Sequence, residues 1–168
     1  MTAGTGGIAL GVLPERFAGD PLALAVFTAW VASLIVGLAT DLDQRLLPDE
    51  LTLTAVPLAL LFALSGANPL VGADVLPAIA VAVILPAVLY LPSLPFGGGA
   101  FGLGDVKLLV GVGLMLGLSR AVGGVAWGLL VAGVVLAVLL VARRIGRRSY
   151  VPFGPFLILG ALWGMLIR

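Results

Sequence analysis

The chain has 168 residues, of which 61% are hydrophobic and 10% charged, and its mean hydropathy is +1.25. Charged residues make up about a quarter of an ordinary soluble domain, so this composition indicates an integral membrane protein. A net charge of +1 gives no reason to expect a nucleic-acid partner, and the lack of cysteine and histidine excludes disulfides, thiol nucleophiles, histidine bases and zinc sites built from those ligands. We therefore expect no metal or cofactor, and any chemistry must come from carboxylates, hydroxyls, lysine or arginine.

The N-terminal segment, residues 1–20, is rich in glycine and carries three charged residues. Its apolar stretch at 8–13 is too short to cross the apolar layer of a membrane, which needs about 20 helical residues. We therefore expect an irregular or interfacial lead-in. Residues 1–7 lack the basic start of a signal peptide, so no cleavable targeting segment is expected.

Asp20 and Pro21 are typical of a helix start, with an N-cap followed by proline at the first helical position. The apolar run at 22–39 then predicts a first membrane span. Five further spans are predicted at residues 48–64, 71–91, 105–118, 121–142 and 151–167, with a turn at 65–69 and a flexible loop at 92–104. The expected fold is all-α: a polytopic membrane protein with six transmembrane helices, in which residues 21–168 form one membrane domain.

Three pairs of glycines lie four residues apart in these runs: Gly113 and Gly117, Gly124 and Gly128, Gly160 and Gly164. Because glycine has no side chain, such pairs permit two helix backbones to approach closely. We interpret them as packing positions rather than as parts of a site.

Positive charges fall unevenly on the two sides that six spans would define. One side holds Arg45, Lys107, Arg143, Arg144, Arg147 and Arg148, and the other holds Arg16, Arg120 and Arg168. Basic residues are enriched in cytoplasmic loops, so the first side is predicted to be cytoplasmic. The cluster at 143–148 is interpreted as a stop-transfer signal that contacts lipid phosphates.

Five of the eight acids are explained as caps, first-turn charges or water-facing loop residues: Glu15, Asp20, Asp49, Glu50 and Asp74. Asp41, Asp43 and Asp105 remain, and all three lie on the predicted cytoplasmic side. Asp105 is equally well explained as the N-cap of the fourth span. Asp41 ends the first span, where the helix dipole disfavours an anion, and an ionisable residue at such a place indicates function.

Two carboxyl groups held close together can activate water. Both cannot ionise comfortably, so one keeps its proton while the other takes a proton from the water that attacks an amide carbonyl. The protonated partner donates to the carbonyl oxygen as negative charge develops there. The pair titrates as a unit.

Gly102 and Gly104 precede Asp105 and are expected to let a substrate backbone approach the acid, since neither has a side chain. A nucleotide-binding loop is rejected because no βαβ unit surrounds this Gly-x-Gly and no third glycine follows at the right spacing. Lys107 and Arg45 are most simply positive topology markers. A role for Lys107 beside the acid pair, in contact with substrate, remains open.

Residues 102–108, Gly-Leu-Gly-Asp-Val-Lys-Leu, are similar to the Gly-x-Gly-Asp motif of the type IV prepilin peptidases, membrane aspartic proteases that share this motif with presenilin. Residues 41–49 resemble the family's other acidic segment, in which an aspartate is followed some seven residues later by proline. Residues 151–156, Val-Pro-Phe-Gly-Pro-Phe, resemble its last helix. The likeness covers about residues 22–168.

The resemblance implies that Asp41 and Asp105 are the catalytic pair, with Asp43 as the alternative to Asp41. It implies an inner- or plasma-membrane enzyme that cuts the short basic leader from pilin-like precursors on the cytoplasmic side, just after a glycine and ahead of the hydrophobic helix. Many members also methylate the new N-terminus through a domain with paired cysteines. Since this sequence has neither the room nor the cysteines for that domain, we expect cleavage without methylation.

Two other interpretations of the sequence remain open. The acids could bind protons or cations in a small transporter or a pilus-assembly scaffold. Alternatively, the chain could be an inactive relative that chaperones pilins. The oligomeric state is not predicted.

Overall fold

A computed structural model describes residues 2–17, 19–44, 49–96, 102–144 and 153–166. These residues form six α-helices and one short 3₁₀ helix: α1 (Thr2–Arg16), α2 (Pro21–Gln44), α3 (Asp49–Leu64), α4 (Val75–Tyr90), the 3₁₀ helix (Leu91–Phe96), α5 (Leu103–Val141) and α6 (Gly154–Leu166). The predicted all-α class is therefore confirmed. Three segments are long and apolar enough to cross a membrane, in α2, in α4 with its 3₁₀ extension, and in α5. Two shorter apolar helices, Ala55–Leu64 and α6, accompany them.

Some of the predicted features lie outside the described part of the chain, because residues 45–48, 97–101, 145–152 and 167–168 are not among the described ranges. The basic residues Arg45, Arg147, Arg148 and Arg168 belong to these segments, as does the middle of the predicted loop at 92–104. The start of that predicted loop forms the 3₁₀ helix, and its last residues belong to α5.

Residues 2–16 of the N-terminal segment form helix α1, so the expectation of an irregular lead-in was wrong, while its interfacial position stays a prediction. Leu13 and Phe17 are buried, and the ring of Phe17 stacks on Phe27 of α2 at 4.6 Å between centroids. This apolar contact stabilises a helix whose glycines give it little intrinsic preference for the helical state. The predicted cap of α2 is confirmed, because Asp20 Oδ1 accepts the backbone N–H of Ala23 at 2.9 Å.

Helix α5 contains a break at Gly117, which divides it into a first arm (103–116) and a second arm (118–141). Gly117 has φ 71° and ψ 177°, a conformation essentially restricted to glycine. The prediction assigned Gly117 to a packing pair, so this is a correction: its role is to break the helix. The boundary between the predicted fourth and fifth spans falls at the same place.

The chain reverses direction at this break. In a continuous helix, Asp105 and Gly128 would lie about 35 Å apart. Instead, Gly128 packs against the backbone of Phe156, while Asp105 lies beside Gly154 only two residues away on α6. The second arm therefore packs along α6, whereas the first arm begins beside the start of α6. The two arms run in opposite directions.

The break leaves carbonyl groups at the end of the first arm without helical partners, and Asn68 binds two of them. Its side-chain Nδ2 donates to the carbonyl oxygens of Met115 at 3.0 Å and Leu114 at 3.5 Å. Its Oδ1 accepts the N–H of Leu70 at 2.9 Å. Asn68 is completely buried. The predicted turn between α3 and α4 thus also stabilises the break in α5. Helix α4 begins at Val75 rather than at the predicted residue 71.

Glycines bring the second arm of α5 and α6 into close contact. A β-carbon on Gly124 would lie 2.5 Å from the carbonyl oxygen of Gly160, and one on Gly164 would lie 2.6 Å from that of Arg120. Gly113, in the first arm, meets the backbone of Ala82 on α4 in the same way. The packing role predicted for these glycines is confirmed. Since residue numbers rise along α6 as they fall along the second arm, the two helices are antiparallel.

The molecule accordingly has two ends. The Gly117 end carries the α5 break, the Asn68 turn and the end of α6, where Arg16 Nη1 donates to the Leu166 carbonyl at 2.9 Å. The opposite end, called the aspartate end below, carries the last turn of α2 and the starts of α5 and α6. The two predicted acids both lie at this second end.

Candidate active site

Asp41 lies in the last turn of α2 and is only 5% exposed. Its Oδ2 atom is buried and accepts no hydrogen bond from the described residues. A buried carboxylate oxygen without a partner is costly, and such atoms are rare in proteins that do not use them. Asp41 is therefore both electrostatically disfavoured at a helix C-terminus and incompletely satisfied.

Asp105 is the third residue of α5 and is 9% exposed. Its Oδ2 accepts the backbone N–H of Gly102 at 3.1 Å. The interpretation of Asp105 as the N-cap is corrected, because Gly102 occupies the cap position and Asp105 reaches back to it from the first turn. This bond fixes one oxygen of the carboxyl group and leaves Oδ1 directed elsewhere.

The two carboxyl groups meet at Gly154, the first residue of α6. A β-carbon placed on Gly154 would lie 2.6 Å from Asp41 Oδ2 and 3.5 Å from Asp105 Oδ1. Because both distances start from one point, these two oxygens are within about 6 Å of each other. The carboxyl groups also interact electrostatically. The structure thus brings together two acids that are far apart in sequence.

Helix packing explains why these residues meet. The reversal at Gly117 returns the chain to the aspartate end, and the antiparallel contact with the second arm of α5 then sets the start of α6 beside the start of the first arm. The first turn of α6 is closed by the carbonyl of Phe153, which accepts the N–H groups of Phe156 and Leu157. Gly154 therefore has a fixed position against both acids.

Sequence reasoning did not identify Gly154 as a site residue. It noted this glycine only as part of the stretch at 151–156, between Phe153 and Pro155. A glycine followed by proline at the start of an apolar helix was the available signal. Its contact with the acids depends on long-range packing, which the motif alone does not reveal.

The other predicted site residues lie near this end, in different roles. Gly102 has extended backbone angles (φ −88°, ψ 160°), and its carbonyl accepts the N–H of Val106. Gly104 lies inside the first turn of α5. Lys107 is half-buried on α5. The backbone of Asp43 belongs to α2, and its side chain lies outside the described part of the structure.

The arrangement suits proton transfer by a carboxyl pair. In the described part of the chain, no three acidic, histidine or cysteine side chains cluster in a way that could hold a metal ion. Asp105 Oδ1 and Asp41 Oδ2 face the same small space, and neighbouring carboxyl groups in such a space share one proton at the pH where only one can ionise. A water molecule in contact with both groups would have the ionised carboxylate as a base and the protonated carboxyl group as an acid.

Comparison with known proteins agrees with this geometry. The model of the type IV leader peptidase family matches residues 28–142, a range that contains Asp41 and Asp105 but not Gly154. No solved structure matches the chain.

Among curated proteins, the chain is 38% identical over 159 residues to the prepilin leader peptidase/N-methyltransferase of Burkholderia pseudomallei strain 1026b, covering 93% of this chain and 50% of that protein. It is 33% identical over 144 residues to the protein of the same name from Aeromonas salmonicida strain A449, covering 83% of this chain and 49% of that protein. A third such protein, from Pectobacterium carotovorum subsp. carotovorum, is 33% identical over 135 residues, and the match covers 80% of this chain and 48% of that protein. The chain spans about half the length of these curated relatives. Since the family model covers more than half of the chain, including both buried aspartates, the chain belongs to the type IV leader peptidase family.

Proposed function

We propose that this chain is a membrane aspartic endopeptidase that removes the short basic leader from type IV pilin-like precursors. The observation that carries the proposal is the meeting of Asp41 Oδ2 and Asp105 Oδ1 at Gly154. The names of the relatives in Burkholderia and Aeromonas support the substrate class. Asp41 and Asp105 are the catalytic residues in this proposal.

The reaction follows from the carboxyl pair. The ionised aspartate takes a proton from water, and the oxygen of that water bonds to the carbonyl carbon of the scissile peptide. The protonated aspartate donates its proton to the carbonyl oxygen as the tetrahedral intermediate forms. Collapse of the intermediate breaks the C–N bond. The leaving amine takes the proton that the first aspartate accepted, and a hydroxyl group of the intermediate returns a proton to the second aspartate as the new carboxyl group forms, so the pair regains its single proton. The products are a leader with a new carboxylate and a mature protein with a new amino terminus, and no covalent bond to the enzyme forms.

We infer that the chain crosses the membrane six times, through α2, α3, α4, the two arms of α5, and α6. The reversal at Gly117 and the apolar character of α3 and α6 support this count. The aspartate end would face the cytoplasm at the inner or plasma membrane. The charges support this orientation, because Arg143 and Arg144 follow the second arm at that end, whereas Arg16 and Arg120 bond to α6 carbonyls at the Gly117 end.

The substrate would approach α5 from its N-terminus. Gly102 has both backbone polar groups in hydrogen bonds, so it can contribute only the absence of a side chain. Gly104, in the first turn of α5, has an N–H group that the helix itself does not need, and this group can donate to a substrate carbonyl. Lys107 lies two residues beyond Asp105, and we propose that it meets the substrate at the edge of the site. Membrane lipids would contact the exposed apolar side chains of α3, α4 and the second arm of α5.

In domain terms, we propose that residues 21–168 form the peptidase domain. The lead-in at residues 1–20 would support it through the contacts of α1 with α2 and α6. The bond from Arg16 to the Leu166 carbonyl places the C-terminal end of α1 at the Gly117 end.

Incubation of the purified protein with a pilin-like precursor tests the proposal, with gel mobility and the mass of the product as readouts. The wild-type chain should shorten the precursor by its leader. Asp41→Asn and Asp105→Asn should each abolish cleavage while the protein still folds, because an amide can neither accept the proton of water nor donate as a carboxylic acid does. Asp43→Asn is the matched control and should cleave normally. Full activity in the Asp41 or Asp105 variant would overturn the assignment, and no cleavage by the wild-type chain would instead favour a transporter or a scaffold.

A further inference from the structure

A third helix contributes to the candidate site through a residue that has no side chain. We propose that Gly154 is a positioning residue: its missing side chain leaves the space in which the Asp41 carboxyl group takes its working place beside Asp105. This inference rests on the proposed function. It extends the site to α6, which lies beyond the residues matched by the family model.

The contacts of Gly154 give the first argument. A β-carbon there would lie 2.6 Å from Asp41 Oδ2 and 3.1 Å from Asp41 Cγ. The first distance is shorter than any ordinary contact between non-bonded atoms, and the second is tight. A methyl group at position 154 is therefore incompatible with the present position of the carboxyl group. Gly154 is buried, and Asp41 is more than nine-tenths buried, so neither can turn freely into solvent.

Glycine at position 154 also avoids the crowding that a β-carbon would meet from the ring of Pro155 in the first turn of α6, but that demand does not involve the two acids. The glycines with positive φ in the described chain are Gly66, Gly72 and Gly117, so Gly154 is not needed for a left-handed backbone. The glycines that join α5 to α6, such as Gly124 and Gly160, meet backbone atoms of the opposite helix. Gly154 instead meets the carboxyl groups. The closest contacts of a β-carbon at position 154 are therefore with the site rather than with the backbone of a packed helix.

A methyl group at position 154 would move the Asp41 carboxyl group rather than separate the helices. The atom in its way is at the end of a side chain with two rotatable bonds, which can shift without a change of backbone. Catalysis tolerates such a shift poorly, because a displacement of about 1 Å in a reacting group can cost roughly 100-fold in rate. The same displacement alters the electrostatic interaction between the two acids, and hence the pH at which the pair gains and loses its shared proton.

The test is Gly154→Ala in the full chain, assayed for kcat, KM and the pH dependence of cleavage of a pilin-like precursor. We expect kcat to fall at least about tenfold, KM to stay within about twofold, the pH profile to shift, and the midpoint of thermal unfolding to stay unchanged. Gly111→Ala is the matched control. Gly111 is a buried helical glycine in the first arm of α5, and its added β-carbon would meet no atom of another element within 4 Å, so this variant should behave as the wild type does.

Wild-type rates and an unshifted pH profile in Gly154→Ala would overturn the inference while leaving the proposed function intact. A wild-type chain that cleaves nothing would reject the proposed function instead. If Gly154→Ala lowers the unfolding midpoint, a double-mutant cycle with Asp41→Ala decides the cause. The methyl group should cost less stability once the carboxyl group is gone, and an equal cost in both backgrounds would also overturn the inference.

Discussion

Replacing Asn68 with alanine removes the side chain that holds the α5 break, and we expect a large loss of stability. Two well-formed hydrogen bonds disappear, to the Met115 carbonyl at 3.0 Å and from the Leu70 N–H at 2.9 Å. Each contributes about 1 kcal/mol, and the buried Met115 carbonyl left without a partner adds a penalty of ~1–3 kcal/mol. The free energy of unfolding should therefore fall by about 3–5 kcal/mol.

Unfolding by SDS in mixed micelles, followed by tryptophan fluorescence, measures this change. The rings of Trp127 and Trp163 stack at 5.7 Å between the second arm of α5 and α6, so their emission reports on the packing that depends on the break. Ser65→Ala is the control in the same turn. Ser65 also makes two hydrogen bonds, but it is exposed and water can replace them, so its loss should cost about 0.5 kcal/mol or less. Equal stability of Asn68→Ala and the wild type would refute the idea that Asn68 holds the break.

Three further predictions concern the break, the helix contact and the acids. Gly117→Ala should lower the free energy of unfolding by about 1–3 kcal/mol, since alanine rarely adopts φ 71° with ψ 177°. Thermal unfolding of this variant beside Gly111→Ala measures the difference, and equal midpoints for the two variants would contradict the requirement for glycine at the break. Gly124→Ala should destabilise by about 1–3 kcal/mol because its β-carbon would lie 2.5 Å from the Gly160 carbonyl, whereas Gly133→Ala meets no other element and should be neutral in the same thermal assay. Cleavage by Asp43→Asn should proceed within about twofold of the wild-type rate in the precursor assay, and a loss as large as that of Asp41→Asn would move the catalytic role to Asp43.

Local signals in the sequence were sufficient for most of the helices. The Asp20–Pro21 start of α2 and the apolar run of α6 could be predicted because helix caps and apolar segments are patterns of residues that are neighbours in the sequence. The interruption near Gly117 was visible for the same reason, since Ser119 and Arg120 separate two apolar runs. The helical state of residues 2–16 was missed because it depends on the packing of Phe17 against Phe27 rather than on the glycine-rich sequence itself.

The site was only partly accessible from the sequence. Asp41 and Asp105 could be selected because charges at the ends of apolar spans are costly wherever they occur. The role of Asn68 could not, because its partners lie 46 and 47 residues further along the chain and exist only once the break has formed. Gly154 is a similar case: the distances to the two carboxyl groups arise from the antiparallel packing of α5 and α6. Such long-range contacts leave no local pattern.

Cross-linking between positions 41 and 105 shows whether the two carboxyl groups meet in the folded protein. The sequence contains no cysteine, so Asp41→Cys/Asp105→Cys introduces the only two thiols in the chain. A short thiol-to-thiol reagent should join them within one molecule in membranes, and intact-mass analysis detects the bridge. The control pair Asp41→Cys/Leu118→Cys places its second thiol at the Gly117 end and should not be bridged. We expect a cross-link at 41 and 105 alone, and equal failure of both pairs to react would contradict the meeting of the two carboxyl groups.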